Sequence, residues 1–484
     1  MRNLARHLGR PRRGTILIVT MWILLVLAGL VLIMGRSVRV EGDRSANDLA
    51  ATQAMAIEQG AVQYVLSCVD GLQGRVPDET ATYCEAVPVG DGAFWILRPG
   101  GGSTGSAGGG LADADETVFT FGITDEASKV NLNSGSRDLI GRLPGISTEL
   151  AAAIIDWRDA DSEVTTGGAE SEFYLMLPDP YECKNLPLET VEELFLIRGA
   201  TADVLFGRDT NRNGVIDAAE AAGPVRGIVS SSGTRMDRGL INFVTVFSAS
   251  NTATSTGGTS SGGSSSGGTS GGSASATPRT DVNTAQMSAL ANAFRDAVAA
   301  DRLPGVLDRI RRERPFRSLL DLYFRADLTI EEFQKVVGRV TAGRPGPGLI
   351  NVNTAPREVL LCLPGLEESD VAAILSRRTA ADADLTTVAW VAQALSREKA
   401  QGIGASITTE TYRFSADIVS VPAGARAFRR CRVVIDAGAS PPKVIFRQNL
   451  THLGWPLMPE ILTALRAGMS LEQVVQETGT RTAL

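Results

Sequence analysis

Thr15 to Gly35 (TILIVTMWILLVLAGLVLIMG) is a run of 21 residues without a charge. A helix needs about 20 residues to cross about 30 Å of hydrocarbon, so lipid is the natural solvent of this run. Five arginines and no acid precede it (Arg2, Arg6, Arg10, Arg12, Arg13), and no small-x-small cleavage pattern follows it. A cleaved secretory signal would have a shorter apolar core, about 7–15 residues, so the run reads as a retained anchor. Cytoplasmic flanks carry the basic residues, which puts 1–14 in the cytoplasm and everything after Arg36 outside.

The helical pattern continues past the lipid. No proline occurs from Arg36 to Val69, and Leu49, Ala50, Ala54, Ile57, Ala61, Val65 and Val69 recur at spacings of one, three and four. That makes a narrow apolar stripe, with Arg44, Asp48, Gln53 and Glu58 elsewhere on the surface. Two readings fit the periodicity equally. One is a single helix of about 55 residues, roughly 80 Å long at ~1.5 Å per residue, half in lipid and half amphipathic. The other is an ordinary single-pass anchor with a stalk.

Composition removes several function classes. The net charge is −7, and without the +5 of residues 1–14 the remainder sums to −12. An acidic body repels phosphate and counts against nucleic acid as a partner. Only two histidines occur, His7 and His452, at opposite ends, which argues against histidine-centred catalysis and multi-histidine metal sites. The five cysteines (Cys68, Cys84, Cys183, Cys362, Cys431) form no CxxC pair. Cys68 and Cys84 flank the end of the long helix and are candidates for a disulfide in an oxidising compartment, while buried thiols are the expectation for Cys362 and Cys431. There is no nucleophile elbow, P-loop or HExxH, so an enzyme is not expected.

Beyond the helix, AFWILRP (93–99) and TVFTFGITDE (117–126) have strand character and are expected to pair as a hairpin across the Gly-rich segment 99–110. Three more strand-like runs follow at 412–421, 427–437 and 443–449. The sheet is therefore split by a long helical insertion, and the insertion repeats. VNLNSGSRDLIGRLPGISTELAAAIIDWR (130–158) and INVNTAPREVLLCLPGLEESDVAAILSRR (350–378) align without a gap, and a degraded third copy starts at DVNTAQMSALANAF (281–294). In the two full copies Pro-Gly supplies a tight turn between the helices, as in helix-hairpin-helix units. Residues 249–278 lack any bulky apolar side chain and read as a flexible linker.

The sharpest chemical motif is DTNRNGVIDAAE, Asp209 to Glu220. It matches a calcium-binding EF-hand loop at positions 1, 3, 5, 6, 9 and 12: Asp209, Asn211, Asn213, Gly214, Asp217 and Glu220. Alternate residues direct oxygen inward, Val215 offers its backbone carbonyl and Glu220 closes the site with both oxygens. The alternative is a solvated Asn/Asp-rich turn. Because two long helices do not flank it, a structural clamp is expected rather than a sensor. A second acidic stretch, DWRDADSE (156–163), is followed by Gly167, Gly168, Glu170 and Glu172, and reads from composition as a solvated loop. The helical hairpins pull towards DNA, but the second glycine of a Pro-Gly-Ile-Gly hairpin is Ser147 in one copy and Glu367 in the other. Residues 131–200 also hold 13 acids against five bases, which disfavours phosphate.

A basic leader, then Gly14, then an apolar helix running into an amphipathic one, resembles the N-terminus of type IV pilins and pseudopilins. The resemblance implies that a prepilin peptidase cuts after Gly14 and that the new terminus, Thr15, becomes methylated. Most such chains carry glutamate at the fifth mature position. Val19 stands there, a departure known in the K-type minor pseudopilins of type II secretion. The DWRDAD loop with Gly168-Ala169-Glu170, Tyr174 and Pro180-Tyr181 is similar to that family, as are ITDEASKVNLN (123–133), KNLPLETVEELFLIRGAT (184–201), the INVNTA repeat and the final strands. By this resemblance Asp159, Asp161 and Glu170 become candidate ligands of a second calcium ion.

The resemblance implies an α+β fold, a pilin-like long N-terminal helix on an antiparallel sheet with a large inserted all-α domain of helix-hairpin-helix or SAM-like character. The expected division is leader 1–14, helix 15–72, first sheet part 73–126, helical insertion 127–410 with calcium loop 209–220 and linker 249–279, final strands 411–460 and helical tail 461–484. The implied protein is a single-pass component of the bacterial inner membrane with its body in the periplasm. It would sit at the tip of a type II secretion pseudopilus, starting or capping the fibre that drives folded proteins through the outer-membrane secretin. Implied partners are the I- and J-type minor pseudopilins, the major pseudopilin, the prepilin peptidase and the inner-membrane assembly platform. The rival readings are a membrane-anchored DNA-uptake receptor and a calcium-stabilised surface adhesin.

Overall fold

The computed structural model describes residues 13–98, 119–222, 228–229, 235–236, 238–248, 279–343, 348–471 and 473–474. Residues 1–12 of the expected leader, the Gly-rich segment and residues 249–278 of the expected linker lie outside them.

One helix, Arg13–Val69, runs for 57 residues. Its first part, to Gly35, is apolar all round and, Gly29 apart, exposed from Ile16 on, including Leu32 and Ile33 at more than 70%. It is long and apolar enough to cross a membrane, and none of its apolar window is buried against protein. This fits a single-pass membrane anchor with a soluble C-terminal body. In the second part only one stripe is covered: Ala50, Ala54, Ile57, Ala61, Val65 and Val69 are buried. Leu49, expected on that stripe, is instead 60% exposed, because Ala50 one position on takes the seat facing the sheet. Three of the buried residues are alanines, which lets the helix axis lie close to the strands.

The main sheet is antiparallel. Its strands are β1 (Val87–Val89), β2 (Gly92–Leu97), β3 (Thr124–Asp125), β4 (Arg413–Val421), β5 (Arg429–Asp436) and β6 (Lys443–Asn449). The order is β1-β2-β4-β5-β6, with β3 pairing β4 beyond the end of β2. The expected hairpin between the 93–99 and 117–126 runs is reduced to a bridge from Leu97 to Phe121, while β2 pairs along its length with β4 (Ile418 opposite Ile96, Val419 opposite Trp95). Every residue of β2 is buried, so it must be covered on both faces, and a central place beside the long β4 provides that.

Period-two alternation separates the two faces. Phe94, Ile96, Phe414, Ala416, Ile418, Cys431, Val433 and Ile435 pack against Ile57, Ala61, Val62, Val65 and Val69 of the helix. The opposite face, with Ala93, Trp95, Leu97, Val419 and Val421, is covered by Val215, Leu457, Ile461 and Val474. Burying each large side chain of these layers contributes about 1.5–3 kcal/mol. A buried ionic cluster joins helix to sheet: Glu58, fully buried, accepts from Arg429 and Arg447.

The inserted body is a threefold repeat. Each copy opens with a two-residue strand that pairs in parallel with the strand closing it: Val130–Asn131 with Val244–Thr245, Thr280–Asp281 with Val340–Thr341, and Ile350–Asn351 with Ile407–Thr408. The hydrogen bonds repeat as well. The first Asn or Asp of each Asx-x-Asn accepts from the backbone two residues on, at 2.7 Å (Asn131), 2.9 Å (Asp281) and 3.0 Å (Asn351). The second Asn clips a distant loop. Asn133 holds both backbone groups of Leu188, Asn283 holds both of Phe316, and Asn353 holds the carbonyl of Leu385 and the indole N–H of Trp390. An arginine then closes the turn from the end of the second helix: Arg158 on the carbonyls of Leu132 and Gly135, Arg314 on Ala285, Arg378 on Val352 and Ala355. The helix pairs Arg137–Gly141 with Thr148–Arg158 and Arg357–Leu361 with Glu368–Arg378 occupy matching positions.

The body meets the sheet through adjacent acids. Asp125, buried, accepts from Thr354, Asn351 and Thr411, and Glu126 pairs with buried Lys129 at 2.9 Å while accepting from Ser415 and Thr245.

Two predictions follow from these contacts. Replacing any one of Asn133, Asn283 or Asn353 by Ala strands buried backbone groups and should lower stability by about 1–3 kcal/mol, read as a lowered urea midpoint. For Glu58, burial alone would raise the carboxyl pKa, but hydrogen bonds from Arg429 and Arg447 hold it below its ordinary 4.5. A depressed carboxyl pKa stabilises fully above 4.5 and is lost as the pH falls through the folded value. Glu58→Gln should therefore cost about 1–2 kcal/mol at pH 7, both arginines being partly exposed, and should flatten the acid limb of the stability–pH curve. An unchanged acid limb would remove the pair from the account of helix docking.

Candidate metal centres

Of the two acidic stretches, one converges and one folds back on itself. Asp159, Asp161 and Glu170 bring one carboxylate oxygen each to within 4.8 Å of one another. The helix Thr148–Arg158 sets up the first two, since Asp159 is its C-terminal cap and Asp161 stands two residues on. Asp161 accepts from the amide of Glu163 at 2.9 Å, which turns the chain back. Gly168 then passes so close to Asp156 that a Cβ there would lie 2.0 Å from its carboxylate, so only glycine admits the approach that delivers Glu170.

Glu170 is only 3% exposed, and neither of its carboxylate oxygens has a hydrogen-bond donor; Oδ1 of Asp159 is likewise buried without one. The Ser171 amide and the Cys183 thiol approach Glu170 and favour its charged form, but both lie outside full hydrogen-bond geometry. Burial first, then Asp156 and Asp159, raise the pKa of Glu170, and burial followed by Asp161 and Asp156 raises that of Asp159. Three carboxylates gathered around oxygens that lack donors form a set that a hard cation would satisfy, with oxygen ligands of the kind calcium takes. Asp156 itself is not part of the set: it is fully buried and accepts from the amide of Thr165 at 3.1 Å.

The 209–220 loop has the internal hydrogen bonds its pattern demands. Asp209 accepts from the amides of Asn213 (3.0 Å) and Gly214 (2.9 Å), Asn211 from that of Asn213 (2.9 Å), and Asn213 from that of Val215 (2.8 Å). Gly214 turns the chain at φ 85°, a left-handed value that favours glycine. Burial, reinforced by Glu220 and opposed by the Gly214 and Asn213 amides, pushes the Asp209 carboxyl up to about 7. Burial and then Glu220 also raise that of Asp217. The three carboxylates do not gather as closely as those at 159–170. Glu220 folds onto the amides of Thr210, Asn211 and Asp217, and Asn211 donates to Asp217 at 2.6 Å. The residues suit an oxygen-seeking cation, and closing on one requires Glu220 to exchange amide donors for the ion.

Sequence reasoning missed what the loop rests on. Arg430 of β5, fully buried, donates to the carbonyls of Asn211 and Arg212, the latter at 2.7 Å, and is itself paired with Asp417 of β4 at 2.6 Å. The available signal was position: in a strand whose alternate residues Cys431, Val433 and Ile435 point at the helix, Arg430 must point at the opposite, equally covered face. The remaining candidates are not gathered here. Gly14 and Thr15 lie in the first turn of the long helix, their side chains outside the described ones. Cys68 and Cys84 are free thiols, both interacting with the Tyr64 hydroxyl. Cys362 and Cys431 are buried.

Residues 137–206 match the model of a family described as "Type II secretion system (T2SS), protein K". The matched stretch contains Asp159, Asp161 and Glu170 and ends just before the 209–220 loop. A chain of the crystal structure of the GspK-GspI-GspJ complex from the enterotoxigenic Escherichia coli type 2 secretion system is similar at a TM-score of 0.39 and 13% sequence identity, over 84% of this chain and 99% of that one. No curated protein matches. The similarity to the protein K family of the type II secretion system thus lies in residues 137–206, the stretch that holds the first acidic cluster.

Proposed function

We propose that this chain is a minor pseudopilin that stands at the tip of a type II secretion pseudopilus, where it starts or caps the fibre that drives folded proteins through the outer-membrane secretin. The observation that carries the reading is the division of one 57-residue helix. Residues 16–35 are apolar on every side and, Gly29 apart, exposed, able to leave lipid and pack among other such helices, while the stripe from Ala50 to Val69 is already filled by its own sheet. Between β3 and β4 the chain departs into the three-copy helical body, a bulk that suits an end of a fibre rather than its shaft. Val19, at the fifth position of the chain cut after Gly14, offers no charge to a neighbouring amino terminus. The role is structural rather than catalytic.

The partners implied are the I- and J-type minor pseudopilins, the major pseudopilin, the prepilin peptidase and the inner-membrane assembly platform, with the body in the periplasm. We assign calcium to two places: Asp159, Asp161 and Glu170, on the strength of the unpartnered Glu170 carboxylate, and the Asp209–Glu220 loop, on its turn geometry and oxygen-donor pattern. In each place the ion would neutralise crowded carboxylates and tie a loop to the body.

Two measurements test this. Mass spectrometry of the N-terminus, with and without a prepilin peptidase, should find a peptidase-dependent product beginning at Thr15. An intact Met1, or salt-dependent DNA binding by the body, would favour the anchored-receptor reading instead. Calorimetric titration should find two calcium ions per chain, with Glu170→Gln removing one. At calcium about a hundred times Kd, chelation should withdraw about 2.7 kcal/mol of stability per ion and lower the Tm. A Tm indifferent to chelator would sink the calcium assignment.

A further inference from the structure

We propose that the 209–220 loop is an ion-dependent clasp, fastening the helical body to the outer face of the main sheet and to the C-terminal segment. This rests on the calcium reading of the loop and adds to it a mechanical consequence.

The loop lies between two surfaces that are otherwise separate in sequence. Arg430 reaches up from the sheet to the carbonyls of Asn211 and Arg212 and is held in place by Asp417, through Nε to Oδ1 at 2.8 Å and Nη2 to Oδ2 at 2.6 Å. The side-chain amide of Asn213 donates to the carbonyl of Pro456 at 2.7 Å. The Val215 side chain, 5% exposed, is packed into the layer formed by Trp95, Val419, Leu457 and Ile461. At the loop's edge, Arg212 and Gln448 of β6 share one oxygen of Glu192, at 3.1 and 3.0 Å.

The clasp and the ion would use different atoms of the same residues. Asn211 gives its side-chain oxygen to the ion and its backbone carbonyl to Arg430. Asn213 gives Oδ1 to the ion and Nδ2 to Pro456. Val215 gives its carbonyl to the ion and its isopropyl group to the sheet layer. Ordering one set therefore orders the other, and this coupling explains why asparagine rather than aspartate stands at position 213: a carboxylate would still ligate but could not donate to Pro456. Without the ion, Asp209, Asp217 and Glu220 crowd like charges into one twelve-residue turn, which opposes the conformation that Arg430 and Pro456 require. By linkage, a ligand that favours the clasped state must be favoured by it in return.

The test is hydrogen exchange of the full chain in detergent micelles, with calcium or chelator, alongside calcium stoichiometry. At calcium about ten times Kd, amide exchange in 429–433 and 455–462 should slow by about tenfold in the wild-type chain. Glu220→Gln should remove one ion and abolish that slowing, leaving the Glu170 site loaded. Asn213→Asp separates the two functions: it should bind calcium yet show little slowing at 455–462. If Glu220→Gln leaves the stoichiometry unchanged, the loop holds no ion, and the clasp falls with the calcium reading. If it removes one ion but wild-type exchange at 429–433 and 455–462 is indifferent to calcium, the calcium reading stands and the clasp alone is overturned. Wild-type slowing that survives Asn213→Asp would likewise overturn the coupling through Pro456.

Discussion

A single helix is built for two surroundings, and the remainder of the architecture is arranged around that division. Its first part is apolar on every side, as suits a helix with no wet direction. Beyond that part, one side must be covered by protein and the others must be polar, so the apolar surface narrows to a stripe and small residues bring the backbone up to a sheet. Ala50, Ala54 and Ala61 provide closeness, Ile57 and Val65 provide buried area, and Glu58 provides a buried charge that arginines from β5 and β6 meet. The sheet in turn cannot face water on its other side. Trp95, Val419 and Val421 need a cover, and they obtain it from the C-terminal segment and from a loop of the inserted body.

The body itself is organised less by apolar pattern than by a repeated polar clip. An asparagine that holds a backbone segment 32 to 55 residues away closes each unit, and an arginine from the second helix occupies the carbonyls that the turn leaves over. These are buried groups whose partners are supplied internally, so each copy can tolerate divergence of its helices while keeping its closure. The middle copy illustrates this. Its helices differ from those of the other two, yet Asn283 keeps both bonds to its distant loop and Arg314 keeps the carbonyl two residues past that asparagine.

Much of this was legible from residue order. Local period and composition identify the long helix, the strands and the repeats, because each depends on neighbours in the chain. The stripe was off by one residue at Leu49, since periodicity cannot tell which of two adjacent apolar residues faces the sheet. The hairpin expected between the 93–99 and 117–126 runs gave way to pairing with β4, because strand partners more than 300 residues away leave no local trace. The two acidic stretches show the same limit in opposite senses. The twelve-residue loop is recognisable as a pattern, whereas the 159–170 cluster reads as an ordinary solvated turn until the fold buries Glu170 without a donor. Arg430 could be placed on a face but not given a partner, because its acceptors are backbone carbonyls some 218 residues earlier.

The central sheet also carries a consequence for the order of assembly. A chain is made from its N-terminus, and β2, buried on both faces, appears more than 300 residues before β4, the strand it pairs with along its length. During that interval the repeats can close one after another, since each finds its clip within its own span. The apolar strand GAFWIL meanwhile has the short β1 on one side, while its other edge, the one that β4 will occupy, remains an exposed template for wrong pairings. Contacts of such long sequence separation form late and slowly. The finished sheet is thus the last element to form around the first strands synthesised, and the chain is most vulnerable to misassembly just before its end is complete.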